Sequence, residues 1–341
     1  MTKKNKTPFG IFTESVGLYF SNFSQFVKYM TFPVLGQVVG LGVTLLCTYI
    51  YSKNLPALID KYPIFNDFGI LVLFSVIIAL PGMIIFIKAF WEYLVAYGAV
   101  NSMLENMLKS GKVYDFNAHT ELIKRRTPSF VVVWLILGVF SVFAAFPLFW
   151  VPAGIIAVYL TLVFQVFTYE PELSPVGCIK KSFNLIKGHF GSTFILLALA
   201  GALSWIFVPQ IFNYLFNITG VNSFLANSFA KLVEIFPLNE INRFLSQVNL
   251  PLITNDDVSM FFVTTTVTQV VIQFTLPIRS MMCGLWYKEL NGSISSVKVE
   301  KKKSSPKRPS EKLMEESHKN LTKKSKKLDK NILKRAMEKE E

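Results

Sequence analysis

The sequence predicts an all-α, polytopic helical membrane protein with about six transmembrane helices and two amphipathic helices on the cytoplasmic face. Hydrophobic residues make up 52% of the chain and include 32 Phe. Apolar stretches recur at lengths near the roughly 20 residues that cross a bilayer core, and Lys and Arg collect in alternate loops between them. This composition is too apolar for an ordinary soluble domain of the same length.

The first two predicted spans cover about residues 32–51 and 68–90. Gly36 and Gly40 in the first span form a small-xxx-small pattern, which lets a neighbouring helix approach closely. Loose packing around ordinary glycines is the alternative interpretation. Pro81 lies near the middle of the second span, where it predicts a kink.

The next apolar run, from about 129 to 168, is too long for one crossing at 1.5 Å per residue. Pro147 and Pro152 flank a short segment with Trp150, which indicates a tight turn at the membrane interface. The run therefore divides into spans at 129–147 and 152–168, with Pro152 in the first turn of the latter. The last two predicted spans are 193–216 and 258–286, and the long loop of 217–257 between them is expected to hold one or two short helices.

Residues 9–29 and 175–190 are amphipathic and are predicted to lie on the membrane surface. The apolar face of the second segment comprises Val176, Ile179, Phe183, Ile186 and Phe190. Its opposite face carries Lys180, Lys181, Asn184 and Lys187. The three lysines are expected to meet anionic lipid headgroups, at about 1 kcal/mol each.

The two amphipathic segments align with each other. The alignment pairs Ser15, Leu18 and Phe23 with Ser182, Leu185 and Phe190. We interpret it as an internal duplication of a surface helix and the span that follows. Both serines are expected to let their helices pack closely on the spans, because a catalytic serine would need a base nearby.

Ionisable residues inside predicted spans are candidate functional residues. Lys88 and Glu92 share a helix face because four residues separate them, and Arg279 lies at a similar depth. The simplest interpretation is that Lys88 and Arg279 extend to the headgroups and that Glu92 neutralises one of them. Four glutamines inside spans are interpreted as interhelical hydrogen-bonding residues, or as part of a polar path if they share a cavity with Arg279: Gln37, Gln165, Gln269 and Gln273.

The residues required for catalysis or metal binding do not cluster in the sequence. His119, His189 and His318 are isolated from one another, and there is no phosphate-binding loop or Cys-x-x-Cys pair. We therefore predict no catalytic residue, no metal and no cofactor. The three cysteines, Cys47, Cys178 and Cys283, are interpreted as packing residues.

Loop charges predict the topology. Basic residues near the N-terminus, in 109–126, in 180–187 and in the tail lie in alternate loops, so all four regions and both termini are predicted to be cytoplasmic. Residues 298–341 alone hold 16 Lys/Arg and 8 Asp/Glu. We predict a transmembrane domain over 1–292 and a basic, disordered tail over 293–341. Because the charge excess is concentrated in this tail, the predicted partners are membrane lipids and proteins that bind the tail, rather than nucleic acid.

Three motifs resemble a group of bacterial six-span membrane proteins. They are ELSPVGCIKKSFNLIKG at 172–188, PAGII at the start of the fourth span and LWYKEL at 285–290. The group includes the membrane domain fused to glycerophosphodiester phosphodiesterases and its relatives, and it covers about residues 9–292 but not the basic tail. The resemblance implies a membrane domain without known catalysis, in the bacterial cytoplasmic (inner) membrane.

Three functions are consistent with these observations. The first is a non-enzymatic membrane protein that organises lipids or partner proteins at the cytoplasmic face. The second is a transporter of a small or amphipathic solute, because internal repeats underlie many transporter folds. The third is an enzyme of phospholipid or glycerophosphodiester metabolism.

Overall fold

A computed structural model describes residues 6–292 except Tyr114 and Ile235. The predicted tail at 293–341 lies outside the described residues. Within them the ordered elements are all helical, which confirms the predicted fold class. The first seven helices are α1 Pro8–Ser21, α2 Phe23–Lys61, α3 Phe68–Ser110, α4 Phe116–Lys124, α5 Thr127–Phe143, α6 Trp150–Leu160 and α7 Val163–Tyr169. The others are α8 Pro175–Ile186, α9 Phe190–Gly201, α10 Val208–Ile218, α11 Val221–Val233, α12 Leu238–Gln247, α13 Asn255–Phe274 and α14 Leu276–Leu290.

Five helical stretches are long and apolar enough to cross a membrane, and a sixth is counted if α4 and α5, bent by 75°, form one span. The five are α2, α3, Pro147–Tyr169, Phe190–Ile218 and Asn255–Leu290. Several continue well beyond the predicted spans. The 43 residues of α3, for example, extend about 65 Å, roughly twice the thickness of a bilayer core.

The first amphipathic helix is shorter than predicted. α1 ends at Ser21 and α2 begins at Phe23, so the predicted range 9–29 is wrong at its end. Asn22 makes the break, because its side-chain amide donates to Gly111 O at 3.2 Å and its oxygen accepts from Val113 N at 3.2 Å. The helix therefore ends because the buried Asn22 side chain bonds to residues far along the chain, although the local apolar pattern would extend the helix. The second amphipathic helix, α8, ends four residues before the predicted boundary.

The crossing of α2 and α3 depends on glycine. A Cβ added to Gly40 would lie 2.5 Å from Phe86 N and 2.8 Å from Gly82 O, and one added to Gly36 would lie 2.8 Å from Ala89 Cβ. The two backbones therefore approach as closely as the small-residue pattern predicts. α3 continues as one helix through Pro81, and the predicted turn at Pro147 is a short 3₁₀ segment, Pro147–Phe149.

The buried core lies at one end of the long helices. Here α4, α7 and α14 pack on α3, α1 packs on α14, and α8 packs on α7; most side chains of α3 at 95–107 are buried. We call this assembly the helical cap: α1, residues 95–110 of α3, α4, α7, α8 and α14. In contrast, apolar side chains of α3 between Phe68 and Ile87 are largely exposed, as expected of a surface that contacts lipid.

One or two helices were expected in the loop between the fifth and sixth spans, and the structure has two, α11 and α12. α11 packs on α13, with Ala226 buried against Val263 and Val267. A π-helical segment, Ala202–Phe207, joins α9 to α10. Both halves of the predicted fifth span therefore belong to one continuous helical rod.

Candidate functional site

The local sequence determines where α8 starts and stops. Ser174 accepts a hydrogen bond from Gly177 N at 3.2 Å as the N-cap, and Pro175 occupies the first helical position. The helix stops before Gly188, whose φ of +87° is a left-handed conformation that glycine adopts without strain. α9 begins two residues later at Phe190. The connection between surface helix and long helix is therefore only three residues long.

α8 has one buried face and one exposed face. Cys178, Ser182 and Ile186 are buried against the bundle, and the Ser182 hydroxyl donates to Tyr159 O at 2.6 Å. The opposite face is exposed and mixes apolar with charged side chains: Val176, 53% exposed, lies beside Lys180 and Lys187. Burial raises the pKa of the Cys178 thiol, so that thiol is a packing group rather than a reactive one.

α1 is arranged in the same way. Ser15 is fully buried, and its hydroxyl donates to Ile11 O at 2.8 Å within its own helix. Phe9 and Phe20 are each about two-thirds exposed on the outer side. Phe23, which aligns with Phe190, is the first residue of a long helix just as Phe190 is. Each surface helix therefore presents aromatic side chains outward while a buried serine faces inward.

The three lysines of α8 and its C-cap do not share one environment. Lys180 and Lys187 are exposed, whereas Lys181 reaches Glu170 at 3.6 Å. Lys181 lines a polar cavity of about 400 Å³ within the helical cap. In the same cavity, the Tyr287 hydroxyl donates to Glu170 at 2.6 Å. Lys181 is therefore engaged by a carboxylate of the protein, whereas contact of the exposed Lys180 and Lys187 with lipid headgroups stays a prediction.

Lys88, Glu92 and Arg279 lie close to the cap, but not in the pairing expected from sequence. Glu92 accepts from Lys124 at 2.9 Å, so it neutralises neither of the other two. Lys88 lies 5.7 Å from the Phe32 ring. The expected pairing was wrong because Lys124 is on a different helix, 32 residues away, and no helix periodicity reveals it.

Arg279 is not in an ion pair within the described residues. Its Nη2 donates to Ile272 O at 3.0 Å and to the Tyr93 hydroxyl at 3.5 Å, while its buried Nε lacks a hydrogen-bond partner. The guanidinium carbon lies 5.9 Å from the Trp205 ring.

The glutamines form two separate pairings. Gln37 and Gln273 bond to each other at 3.1 Å. Gln165 instead donates to Asn101 at 3.3 Å, and Ser280 donates to the same oxygen at 3.0 Å. The interhelical bonding expected of these three glutamines is therefore present, and the sequence reasoning missed Asn101 as the centre of the second group.

The sequence reasoning also missed a third polar group, formed by Ser102, Asn106 and His119. The Ser102 hydroxyl makes a short hydrogen bond with His119 Nδ1, and Asn106 lies 3.0 Å from His119 Nε2. Ser102 lies inside α3, where backbone N–H groups are used by the helix and none is free to stabilise an oxyanion. The group attaches α4 to α3. Ser102 and Asn106 are four residues apart, and this spacing of polar residues was the available sequence signal.

An apolar cavity of about 550 Å³ lies between α5 and α6. Its walls include Leu137, Ala153 and Ile156, and Trp134 lies at the end nearest the cap. The Trp134 indole nitrogen is buried and has no hydrogen-bond partner. A cavity of this size and composition suits an apolar ligand.

Within the described residues, no group of three His, Cys, Asp or Glu side chains is placed to hold a metal ion. Comparison with known proteins adds no relative: no protein family, no curated protein and no solved structure matches this chain. The functional argument therefore rests on the surface helices, the polar groups and the apolar cavity.

Proposed function

We propose that this chain is a non-enzymatic integral membrane protein that holds anionic lipids at its cytoplasmic face. The observation that carries the proposal is the outward surface of α8, where exposed Val176 and Phe183 adjoin exposed Lys180 and Lys187. Apolar side chains beside lysines suit the boundary between acyl chains and headgroups. The Phe183 ring also stacks on Tyr159 at 4.8 Å, which holds α8 against α6.

The expected contribution of the lysines is smaller than the sequence suggested. Each lysine near an anionic surface contributes about 1 kcal/mol, so Lys180 and Lys187 together contribute about 2 kcal/mol, or roughly 30-fold in affinity. Lys181 is excluded because its ammonium faces Glu170. Both remaining side chains are exposed, so salt screens part of this energy.

The test compares lipid retention by three proteins in nanodiscs that contain phosphatidylglycerol and phosphatidylcholine. Replacing Lys180 and Lys187 by Gln should remove most of the preference for phosphatidylglycerol and should speed amide exchange in 176–190. Lys181→Gln is the matched control, on the same helix, and should change the preference little. Equal effects of the two replacements, or none from the double variant, would refute the proposal.

A transporter is the second candidate because three separate polar groups lie between the helices. They are Gln37 with Gln273, Arg279 with Tyr93, and the group around Asn101. Solute flux in proteoliposomes that Asn101→Leu abolishes would favour transport. An enzyme of glycerophosphodiester metabolism is the third, and hydrolysis by the purified protein would favour it.

A further inference from the structure

The short helix α12 divides cleanly into an apolar and a polar side. Successive helical residues turn by about 100°, so the apolar residues of α12 and its C-cap lie within about 120° of one another: Leu238, Ile241, Phe244, Leu245 and Val248. The polar residues occupy the other side, over about 160°: Asn239, Glu240, Asn242, Arg243, Ser246 and Gln247. Such a division is typical of a helix that lies on an apolar surface.

The apolar side of α12 is open. In the part of the chain that the structure describes, no other helix packs extensively on α12, and none of its residues is buried. Phe244 is 63% exposed, and Ile241 and Val248 are exposed as well. We call these three side chains the α12 apolar face. Leu250, held next to the end of the helix by a bond from its N–H to Leu245 O at 3.0 Å, is also exposed.

Two hydrogen bonds attach α12 to the start of α13. The Asn242 side-chain amide donates to Ile253 O at 2.8 Å, and Ile253 N donates to the Asn242 side-chain oxygen at 2.8 Å. The next residue, Thr254, is the N-cap of α13. Asn242 lies at the border between the polar and apolar sides of α12, so this attachment leaves the α12 apolar face free.

Charged residues mark a level at the end of the long helices that is farther from the helical cap. Gln37 of α2 bonds to Gln273 of α13 at 3.1 Å, and the two helices run in opposite directions. Counting 16 residues away from the cap leads from Gln37 to Lys53 and from Gln273 to Asp257, about 24 Å along each helix. These are the first charged residues met in that direction. Lys53 in turn contacts Glu234, the C-cap of α11, at 3.0 Å.

α12 lies next to this charged level, beside a surface that suits contact with lipid. It starts four residues after Glu234, and Ile253, to which it bonds, precedes Asp257 by four residues. On the cap side of the level, Phe261 of α13 is 71% exposed, and large apolar side chains of α2 and α3 are exposed as well. Because charged side chains are costly inside the hydrocarbon core, its edge is expected at this level.

We propose that α12 lies flat on the leaflet opposite the helical cap, with the α12 apolar face among the upper acyl chains of that leaflet. An amphipathic helix on a bilayer inserts its apolar side by about 5–10 Å, which agrees with a position just outside the charged level. The partner of the face is therefore lipid, and a second copy of the chain is the alternative occupant. The inference goes beyond the proposed function, which concerns charge at the other end of the long helices.

The charge around α12 indicates which lipids it binds. Residues 231–257 hold two basic and four acidic residues: Lys231, Arg243, Glu234, Glu240, Asp256 and Asp257. A surface with an acidic excess gains nothing from anionic headgroups, in contrast to the exposed lysines of α8. We therefore expect α12 to bind a phosphatidylcholine surface at least as well as one that contains phosphatidylglycerol.

The first experiment maps lipid contacts in the wild-type full chain. The protein is placed singly in nanodiscs of phosphatidylcholine that carries a photoreactive diazirine in the acyl chain near the glycerol. Crosslinks to the α12 apolar face should be several-fold denser than crosslinks to Asn239 and Gln247 on the polar side. Phe261 is the positive control for lipid contact. Labelling of Phe261 without labelling of α12, or equal labelling of the two sides of α12, would overturn the proposal.

The same map in liposomes at high protein density tests the alternative occupant. The crosslinks to the α12 apolar face should be as dense as in single-copy nanodiscs. Their loss at high density would identify a second copy of the chain as the occupant and would overturn the proposal. Neither map requires a substitution, so both remain decisive if variants fail to fold.

Variants then test whether the α12 apolar face holds the helix in place. Ile241→Ser with Phe244→Ser should raise amide exchange in 238–248 about tenfold, because two large side chains no longer anchor the helix in lipid. Asn239→Ser with Gln247→Ser is the matched control on the polar side of the same helix and should change exchange little. All four side chains are exposed, so no buried core is opened. Equal acceleration by the two pairs of substitutions, or none from the first pair, would contradict the proposal.

Lipid charge separates this inference from the proposed function. Adding phosphatidylglycerol to the nanodiscs should leave the crosslinks to α12 unchanged. The variant Lys180→Gln with Lys187→Gln, which tests the proposed function, should also leave them unchanged. A strong dependence of the α12 crosslinks on phosphatidylglycerol would mean that headgroup charge holds the helix, and would overturn the proposal.

Discussion

Replacing Gly40 by Ala should destabilise the membrane domain by separating α2 from α3. The new Cβ would lie 2.5 Å from Phe86 N, whereas ordinary contacts begin near 3.4 Å, so the backbones must move apart by about 1 Å. Overpacking of this kind costs about 1–3 kcal/mol. The atoms that this Cβ would contact belong to the backbone of α3, which cannot rotate away as a flexible side chain can.

Gly42→Ala is the matched control, two residues farther along the same helix. A Cβ there meets nothing within 4 Å, so only the helix propensity changes, which favours Ala by about 1 kcal/mol. The free energies of unfolding can be compared by titration with sodium dodecyl sulfate in mixed micelles. We expect Gly40→Ala to be less stable than wild type and Gly42→Ala to be equal or more stable. If both variants shift in the same direction by the same amount, the close crossing of α2 and α3 is wrong.

Three further predictions concern the cap. Asn22→Ala should cost about 2 kcal/mol in a thermal or detergent melt, because it leaves the buried Val113 N–H unpaired; no loss would contradict the bridging role. Cys178 should react with a neutral maleimide much more slowly than partly exposed Cys47 until the protein unfolds, because burial excludes reagent and raises the Cys178 pKa. Burial lowers the pKa of His119 below its usual 6.5, so the unfolded chain binds a proton that the folded chain resists. Stability should therefore fall as pH drops through about 6.5, and His119→Gln should reduce that slope in melts at about pH 7.5 and 5.5. An unchanged slope would contradict it.

The apolar segments could be predicted from sequence because contact with lipid is a local property. A run such as Phe68 to Ile87 has to be apolar wherever its neighbours are, and its side chains are indeed exposed in the structure. The cap could not be predicted in this way. Asn101, Gln165 and Ser280 form one hydrogen-bonded group although 64 and 179 residues separate the partners from Asn101. Each looks like an isolated polar residue until the fold brings them together.

The separate position of Lys181 could have been predicted from the same helix geometry that grouped the three lysines. Successive residues turn by about 100°, so Lys180 and Lys187, seven apart, lie within about 20° of each other. Lys181 is turned by about 100° from Lys180, toward the side that packs on the bundle. What the geometry does not supply is the partner, since Glu170 lies outside α8, beyond a turn.

The charge-based topology does not depend on whether the α5–α6 hairpin crosses the membrane. A hairpin that crosses twice and one that does not cross at all both return the chain to its original side, so Lys124 before it and Lys180 after it stay together either way. Loop charges therefore predict the same side for both termini from six crossings or from four. Charge counting cannot distinguish these arrangements, and only the location of the tip can. A cysteine at Leu148, in the tip of the hairpin, should be labelled from the outer side if the hairpin crosses twice, and should not be labelled from that side if it does not cross.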